Sequence, residues 1–252
     1  MEIARARLLL VISLLGARAA SAGVSWDDLG GSAALTSDDV FHGISQTCGD
    51  PAAQADLHYR SSGGHSPSEG FLGVWASEGL GASHCGKARE LNVYGGYSLA
   101  LGQDTSASLT YTHYGYPGGA YTLGRLAGHR YDYDALEGQW SWADQVSLTV
   151  AWTPNALRYA NGSVLRDRNA LSYGLQLREP LMAGISASAG LGYDKIMDPF
   201  GTGYGFWNLG LDYALGPVQL QAGYFWTSGR AERLFGDYVG GNRASASLIW
   251  RF

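Results

Sequence analysis

Residues 242–252 read NRASASLIWRF, and this stretch decides the fold. Its alternate residues from Ala244 to Phe252 are apolar, whereas the residues between them, from Arg243 to Arg251, are mostly polar. Successive side chains of a β-strand point to opposite faces, so the stretch predicts a strand with one apolar and one polar face. A strand of about 10 residues with this alternation is the repeating unit of a transmembrane β-barrel. A half-buried strand of a soluble all-β protein shows the same pattern, so the rest of the chain has to decide.

The composition favours an all-β protein over a helical one. The chain has 252 residues with 37 Gly, 16 Tyr and 8 Trp, and 15% of its residues are charged. That charged fraction is low against a typical value of about 25%. Abundant glycine and aromatic residues fit a barrel with many turns and aromatic girdles. The length suits one such domain, because single barrels often reach about 200–250 residues.

Residues 1–22 have the features of a secretory signal peptide. Two arginines precede an apolar run at residues 8–15, and small residues at 20–22 form the expected cleavage site. The apolar run is shorter than the roughly 20 residues that a membrane-spanning helix needs. The predicted organisation is therefore a signal peptide followed by one barrel domain at residues 23–252. Its expected locations are the bacterial outer membrane and, as the alternative, the periplasm.

The charge and the cysteine content limit the kinds of partner and site that the chain is expected to have. The leader holds three of the 17 basic and one of the 22 acidic residues, so its removal leaves a formal charge of −7. An acidic balance disfavours nucleic-acid binding. Cys48 and Cys85 are too few for a disulfide scaffold or a zinc site. Both lie in links expected on the outer side of the barrel. The sequence leaves two alternatives open, a disulfide between the two cysteines or two free thiols.

Twelve period-two runs follow the leader, and an even number is what bacterial single-chain barrels have. The links between them alternate in length, as expected for short periplasmic turns and longer outer loops. The exception is the fairly long link 63–69, which falls on the periplasmic side. The longer outer links include 117–130, 156–168, 197–202 and 230–241, and the first of these is the best candidate for a constricting loop. The predicted strands are 32–46, 52–62, 70–79, 89–101, 105–116, 131–142, 145–155, 169–181, 184–196, 203–215, 218–229 and 242–252.

The stretch Leu35 to Thr47, LTSDDVFHGISQT, resembles the opening signature of the TorF-type porin-like proteins of Gram-negative bacteria. That signature reads S-D-Y-V-F-R-G-x-S-Q, so Asp39 stands here for the usual Tyr and His42 for the usual Arg. Further matching segments are YGGY at 94–97 and WTP at 152–154. The resemblance implies an outer-membrane β-barrel with channel activity. Because His42 replaces this arginine, a role that the arginine has inside the barrel does not transfer directly to this chain.

The polar faces of the strands predict the lining of a lumen. Opposite charges across a narrow pore set which solutes pass, although the same groups could also fill the interior of a closed barrel. A twelve-stranded barrel lies between filled eight-stranded barrels and open sixteen-stranded porins. We expect a passive diffusion channel for small hydrophilic solutes or ions. Its predicted pore-lining residues are Gln54, Asp56, His58, Arg60, Glu90, Glu137, Arg178 and Asp212.

Two other functions stay open, a mainly plugged structural or surface-recognition barrel and a lipid-active enzyme. A nucleophilic lipase needs a serine beside a histidine on the outer surface, whereas His113 is followed by Tyr114 and Gly115. The six histidines show no metal-binding spacing. We therefore predict no enzymatic activity, no catalytic or metal site and no cofactor. The expected partners are outer-membrane lipid, small solutes and the barrel-assembly machinery, which would recognise the final strand ending at Phe252.

Overall fold

The computed structural model describes residues 28–61, 68–81, 89–117, 132–160, 163–195 and 203–252. Twelve of its strands form one closed antiparallel barrel. The predicted fold class and strand number are therefore confirmed. The signal peptide lies outside the described residues, so the domain boundary at residue 23 stays a prediction. Within the described ranges, no helix has the length and apolar character needed to cross a bilayer.

Each barrel strand pairs with the next barrel strand along the chain, and a small hairpin lies between the first two of them. This hairpin consists of β2 (Val40–Phe41) and β3 (Ile44–Ser45), and two short helices, α1 (Gly229–Phe235) and α2 (Asp237–Gly240), precede the last strand. The barrel strands are β1 (Leu29–Thr36), β4 (Ala52–Arg60), β5 (Ser68–Gly79), β6 (Arg89–Ala100), β7 (Thr105–Gly115), β8 (Tyr133–Trp142), β9 (Val146–Ala160), β10 (Ser163–Met182), β11 (Ile185–Asp194), β12 (Tyr204–Leu215), β13 (Val218–Thr227) and β14 (Arg243–Arg251).

The barrel closes where β1 pairs with β14. Leu35 lies opposite Leu248 in this pairing. At the end of the seam, Gly31 N donates to Phe252 O at 2.9 Å and Phe252 N donates to Gly31 O at 3.1 Å. Closure leaves neither terminal strand with an unpaired edge, which is the condition for β-structure in hydrocarbon. The final stretch of the sequence is therefore one side of the seam.

The apolar residues of the strands point away from the lumen. Leu109, Leu148, Leu220 and Leu248 each keep about half of their surface exposed on the outside of the barrel (47–53%). Exposed aromatic side chains lie towards both ends of the strands, where the girdles of membrane barrels lie. Those near the short turns include Tyr97, Trp140, Trp142, Tyr213 and Trp250, and those near the opposite end include Tyr111, Trp152, Tyr193, Trp207 and Tyr224. The predicted face assignment is confirmed.

The first strand was predicted wrongly in its second half. We expected residues 32–46 to cross as one strand, but β1 ends at Thr36 and the chain then turns inward. The Thr36 hydroxyl donates to the backbone oxygen of Asp38 at 2.9 Å across this turn. Residues 37–51 lie inside the barrel, so neither of their faces has to meet hydrocarbon. This position explains why polar and apolar residues mix on both parities of that stretch.

The outer links also differ from expectation. The predicted loop 156–168 is wrong, because β9 continues to Ala160 and β10 begins at Ser163. The link 230–241 is an outer loop as predicted, and it contains the helices α1 and α2. The link 117–130, which we expected to constrict the lumen, lies outside the described residues apart from its first position.

We predict that Leu109→Arg weakens folding into lipid vesicles far more than Thr110→Arg. Leu109 lies near the middle of β7 on the outward face, whereas Thr110 lies on the inward face. An arginine in the midplane of the hydrocarbon costs about 2–4 kcal/mol. Urea titration of vesicle-folded protein measures the difference, and equal losses of stability in the two variants would contradict the face assignment.

Candidate pore constriction

Residues 37–51, which we call the lumen hairpin, fold into the barrel between β1 and β4. Val40 pairs with Ser45, and Phe41 pairs with Ile44. The two residues between them, His42 and Gly43, have φ values of 49° and 78°. Positive φ at both central positions is the signature of the two-residue turn that suits the twist of a β-hairpin. The glycine accepts this conformation freely, and the histidine adopts it within a hairpin fixed by its surroundings.

The base of the lumen hairpin is fixed by the buried carboxylate of Asp38, of which 5% is exposed. Arg243 Nη1 of β14 donates to Asp38 Oδ2 at 3.1 Å. The hydroxyls of Ser45 and Thr47 donate to Asp38 Oδ1 at 2.5 and 3.1 Å. A buried charge is stable only when it is paired and hydrogen-bonded. This carboxylate therefore ties both arms of the hairpin to the barrel wall.

The lumen hairpin crosses the full width of the barrel. On one side, the Ser77 hydroxyl of β5 donates to Asp39 Oδ2 at 2.7 Å. On the other side, His42 Nδ1 lies 2.8 Å from Asp194 Oδ2 of β11. In the ring of twelve strands, β5 and β11 are six strands apart. The hairpin is therefore attached to opposite walls, as expected of an element that narrows a pore.

Aromatic packing holds the tip of the lumen hairpin. The His42 ring lies between two rings, with centroid distances of 3.9 Å to Phe41 and 4.7 Å to Phe206. Ile44 joins a small buried cluster with Tyr204 of β12 and Ala231 of α1. The signature that residues 35–47 resemble has an arginine at the position of His42. The imidazole both stacks on aromatic rings and bonds a carboxylate, two contacts that a guanidinium can also make.

Burial raises the pKa of the Asp39 carboxyl above its usual range. The hydrogen bonds from Ser77 and Gln54 lower this pKa in part, and the negative charge of Asp38 raises it further. Within the described residues, Asp38 forms an ion pair with Arg243, whereas Asp39 is bonded by a serine hydroxyl.

The structure places the predicted lining residues on the inward parity of their strands. Asp56 is held by two neighbours, because His58 Nδ1 lies 2.5 Å from Asp56 Oδ1 and the Tyr94 hydroxyl donates to Asp56 Oδ2 at 2.7 Å. Arg60 and Arg178 lie near the end of the barrel that carries the short turns, and both are exposed. The remaining predicted residues, Gln54, Glu90, Glu137 and Asp212, are partly buried. Their role in conduction stays a prediction.

Several carboxylates on the inward face of the barrel have no arginine or lysine partner. Glu90 accepts from Asn92 Nδ2 at 2.7 Å, and Asp212 accepts from Gln219 Nε2 at 3.1 Å. Within the described residues, neither these carboxylates nor Glu137 form an ion pair with an arginine or lysine. Arg251 instead bonds Gln219 Oε1 near the short turns, at 2.8 Å. Three inward carboxylates of the described lumen therefore lack an arginine or lysine partner.

Sequence reasoning missed a cavity of about 210 Å³ beside the tip of the lumen hairpin. A Cβ at Gly190 would collide with the side-chain amides of Gln176 and Asn208, and a Cβ at Gly192 would collide with the Phe206 ring. The two glycines therefore let these larger side chains lie against the wall and leave space in the lumen. The sequence feature that could have indicated this cavity was the pair of glycines on the inward face of β11. The inward side chains around the cavity are His42, Glu137, Thr149, Ser172, Gln176, Phe206 and Asn208.

One of the two cysteines, Cys48, lies within the described residues. Cys48 is disulfide-bonded. Cys85 lies at residues 82–88, outside the described part, so the pairing of Cys48 with Cys85 stays a prediction. Among the described residues, no group of three or more His, Cys, Asp or Glu side chains could hold a metal ion.

We predict that Arg243→Ala releases the lumen hairpin and raises the single-channel conductance. Asp38 and Arg243 are both largely buried, and removing one partner of a buried ion pair costs about 3–5 kcal/mol. Planar-bilayer recording measures the change. Arg251→Ala is the matched control, because Arg251 bonds Gln219 and does not contact the hairpin. Equal conductance in wild type and Arg243→Ala would contradict the anchoring role.

We predict that Asp39→Asn makes stability less dependent on pH. A raised pKa means that folded Asp39 binds its proton more tightly than the unfolded chain does. Stability therefore falls as pH rises from the unfolded pKa to the folded pKa, and the loss is complete above the folded value. An asparagine side chain does not ionise, so the variant should lack this component and be the more stable form at pH 7. Urea unfolding between pH 4 and 7 measures it, and parallel pH profiles would contradict the prediction.

The comparisons with known proteins agree with this architecture. Residues 20–248 match the Gcw_chp family, described as a bacterial protein of unknown function. No functionally curated protein matches the sequence. The KdgM porin has a TM-score of 0.52 at 9% identity over 88% of this chain and 98% of its own. The NanC porin has a TM-score of 0.50 at 9% identity over 88% and 97%.

A KdgM porin in complex with disordered oligogalacturonate is similar at a TM-score of 0.51 and 10% identity, over 89% of this chain and 98% of its own. At such low identities the likeness concerns the fold alone. The family match covers most of the sequence, and the chain belongs to the Gcw_chp family of bacterial proteins.

Proposed function

We propose that this protein is an outer-membrane channel through which small hydrophilic solutes diffuse passively, and that the lumen hairpin sets its width. The observation that carries the proposal is the attachment of this hairpin to the opposite walls β5 and β11 of a closed, polar-lined barrel. The resemblance of residues 35–47 to the TorF-type signature supports the same activity, because those residues form most of the hairpin.

The outward surface supports the membrane location. Its exposed leucines and its aromatic residues at both strand ends match the apolar band and girdles of outer-membrane barrels. The signal peptide expected at residues 1–22 would direct export. The seam strand β14, which ends next to Phe252, would present the assembly machinery with the signal that we inferred from the sequence.

An open lumen is favoured over a plugged one by the side chains around the hairpin tip. A filled barrel interior is packed with large side chains, whereas the wall here carries Gly190 and Gly192 beside a cavity of about 210 Å³. The groups around this cavity are mostly polar, which suits water and dissolved solutes. We expect the hairpin to narrow the path and not to close it.

The charges of the lumen favour neutral and cationic solutes over anions. Glu90, Glu137 and Asp212 have no arginine or lysine partner among the described residues. Carboxylates lining a narrow, low-dielectric passage attract cations and repel anions. Oligogalacturonate, the ligand named for a KdgM complex, is a polyanion. We therefore expect this channel to differ from that porin in the solutes it passes.

We predict that wild-type channels prefer cations, and that Asp56→Ala or Glu90→Ala reduces this preference. Both side chains lie on the inward face, so removing either charge weakens the field along the path. The reversal potential across a planar bilayer with a KCl gradient measures the preference. The matched control is Asp134→Ala, because Asp134 bonds His113 on the outward face of the barrel.

Three results would count against the proposal. Absence of conductance from correctly folded protein would favour a plugged barrel. A reversal potential that indicates anion preference would contradict the negative electrostatic potential proposed for the lumen. An equal shift in Asp134→Ala would show that the effect does not depend on the lumen.

A further inference from the structure

We infer that the cavity beside the tip of the lumen hairpin is a binding subsite for an uncharged sugar of about one ring. The inference rests on the proposed channel function, because the solute reaches the cavity through the lumen. The cavity measures about 210 Å³, below the range of about 300–1,000 Å³ typical of pockets for drug-sized ligands. It is therefore suited to a small solute and not to a long polymer segment.

The side chains around the cavity match the hydrogen-bonding pattern of a polyol. Gln176 and Asn208 each offer an amide donor and an amide acceptor, and Thr149 and Ser172 each offer a hydroxyl that can do both. None of these four side chains makes a hydrogen bond within the described part of the chain. A sugar hydroxyl also both donates and accepts. Each of the four side chains can therefore form a hydrogen bond with the ligand without breaking one in the protein.

An aromatic ring borders the same cavity. Phe206 stacks on His42, with 4.7 Å between the ring centroids and 9° between the ring planes. His42 covers one face of this ring, so the C–H groups of a sugar would pack against the part of the Phe206 side chain that borders the cavity. The contact with Asp194 at 2.8 Å fixes the His42 ring, and the stacked His42 fixes Phe206 at the edge of the cavity before a ligand arrives.

The charge of the cavity selects against acidic sugars. Glu137 is the carboxylate that borders it, and no arginine or lysine is among its lining residues. A uronate carboxylate would meet Glu137 without a guanidinium or ammonium partner, and the His42 imidazole beside it is already bonded to Asp194. An unpaired charge in a partly buried site is unfavourable. Glu137 can instead accept hydrogen bonds from one or two sugar hydroxyls, as a carboxylate acceptor does.

The test measures binding of glucose and of galacturonate to the full-length, detergent-folded protein. Saturation-transfer NMR suits weak sugar binding and does not require a conducting channel. We expect saturable glucose binding, with galacturonate bound at least about tenfold more weakly. Asn208→Leu should weaken glucose binding about three- to tenfold, the cost of one lost neutral hydrogen bond. Gln176→Leu should do the same, and it serves as the second variant if Asn208→Leu does not fold.

The matched control is Gln139→Leu, which removes the same amide from an inward residue that does not line the cavity. It should bind glucose as the wild type does. Absence of saturable glucose binding would overturn the inference, as would galacturonate binding equal to that of glucose. An unchanged affinity in both cavity variants would also overturn it. Glucose binding without conductance would support the subsite while contradicting the proposed channel, so the two claims fail separately.

Discussion

The constraint on which this structure depends is the lack of water in hydrocarbon. Every backbone N–H and C=O of a membrane-embedded strand must find a partner within the protein, and a closed barrel provides these partners. Closure by β1 and β14 meets this requirement at the seam. It also determines the two surfaces, because each strand must then show one side to lipid and the other to an enclosed space. The alternation of residues 242–252 follows directly from this requirement.

The enclosed space is where the chain departs from a simple barrel. An inward segment is freed from the need to face hydrocarbon, so it can carry both charges and apolar groups. The lumen hairpin uses both, with Asp38 bonded to Arg243 at its base and His42 stacked on Phe206 at its tip. These contacts bring together strands that are distant around the ring. In the proposed channel, the width of the passage and the chemistry beside it would therefore depend on one short segment of the chain.

The sequence predicted the barrel well because its strands obey a local rule. The period of two is visible within ten residues, and runs such as 218–229 closely match the strands observed. Residues 37–46 were assigned wrongly because the local pattern does not show that the chain leaves the wall after Thr36, although polar and apolar residues mix on both parities there. The turn signal, His42-Gly43, was weak because histidine is not a usual residue for positive φ. Long-range contacts were not readable, since Asp38 and Arg243 are 205 residues apart. Likewise, Gly190 and Gly192 acquire meaning only once Phe206 and Asn208 are known to lie beside them.

The central claim is that one face of each strand meets lipid while the other meets water that enters past the hairpin. Cysteine substitution along β12, followed by labelling of vesicle-embedded protein with a water-soluble, membrane-impermeant maleimide, tests this claim most directly. Cysteines at Asn208 and Gly210 should react, whereas cysteines at Leu209 and Leu211 should remain protected by lipid. Labelling without alternation, or with the opposite alternation, would contradict a hydrated lumen bounded by these strands.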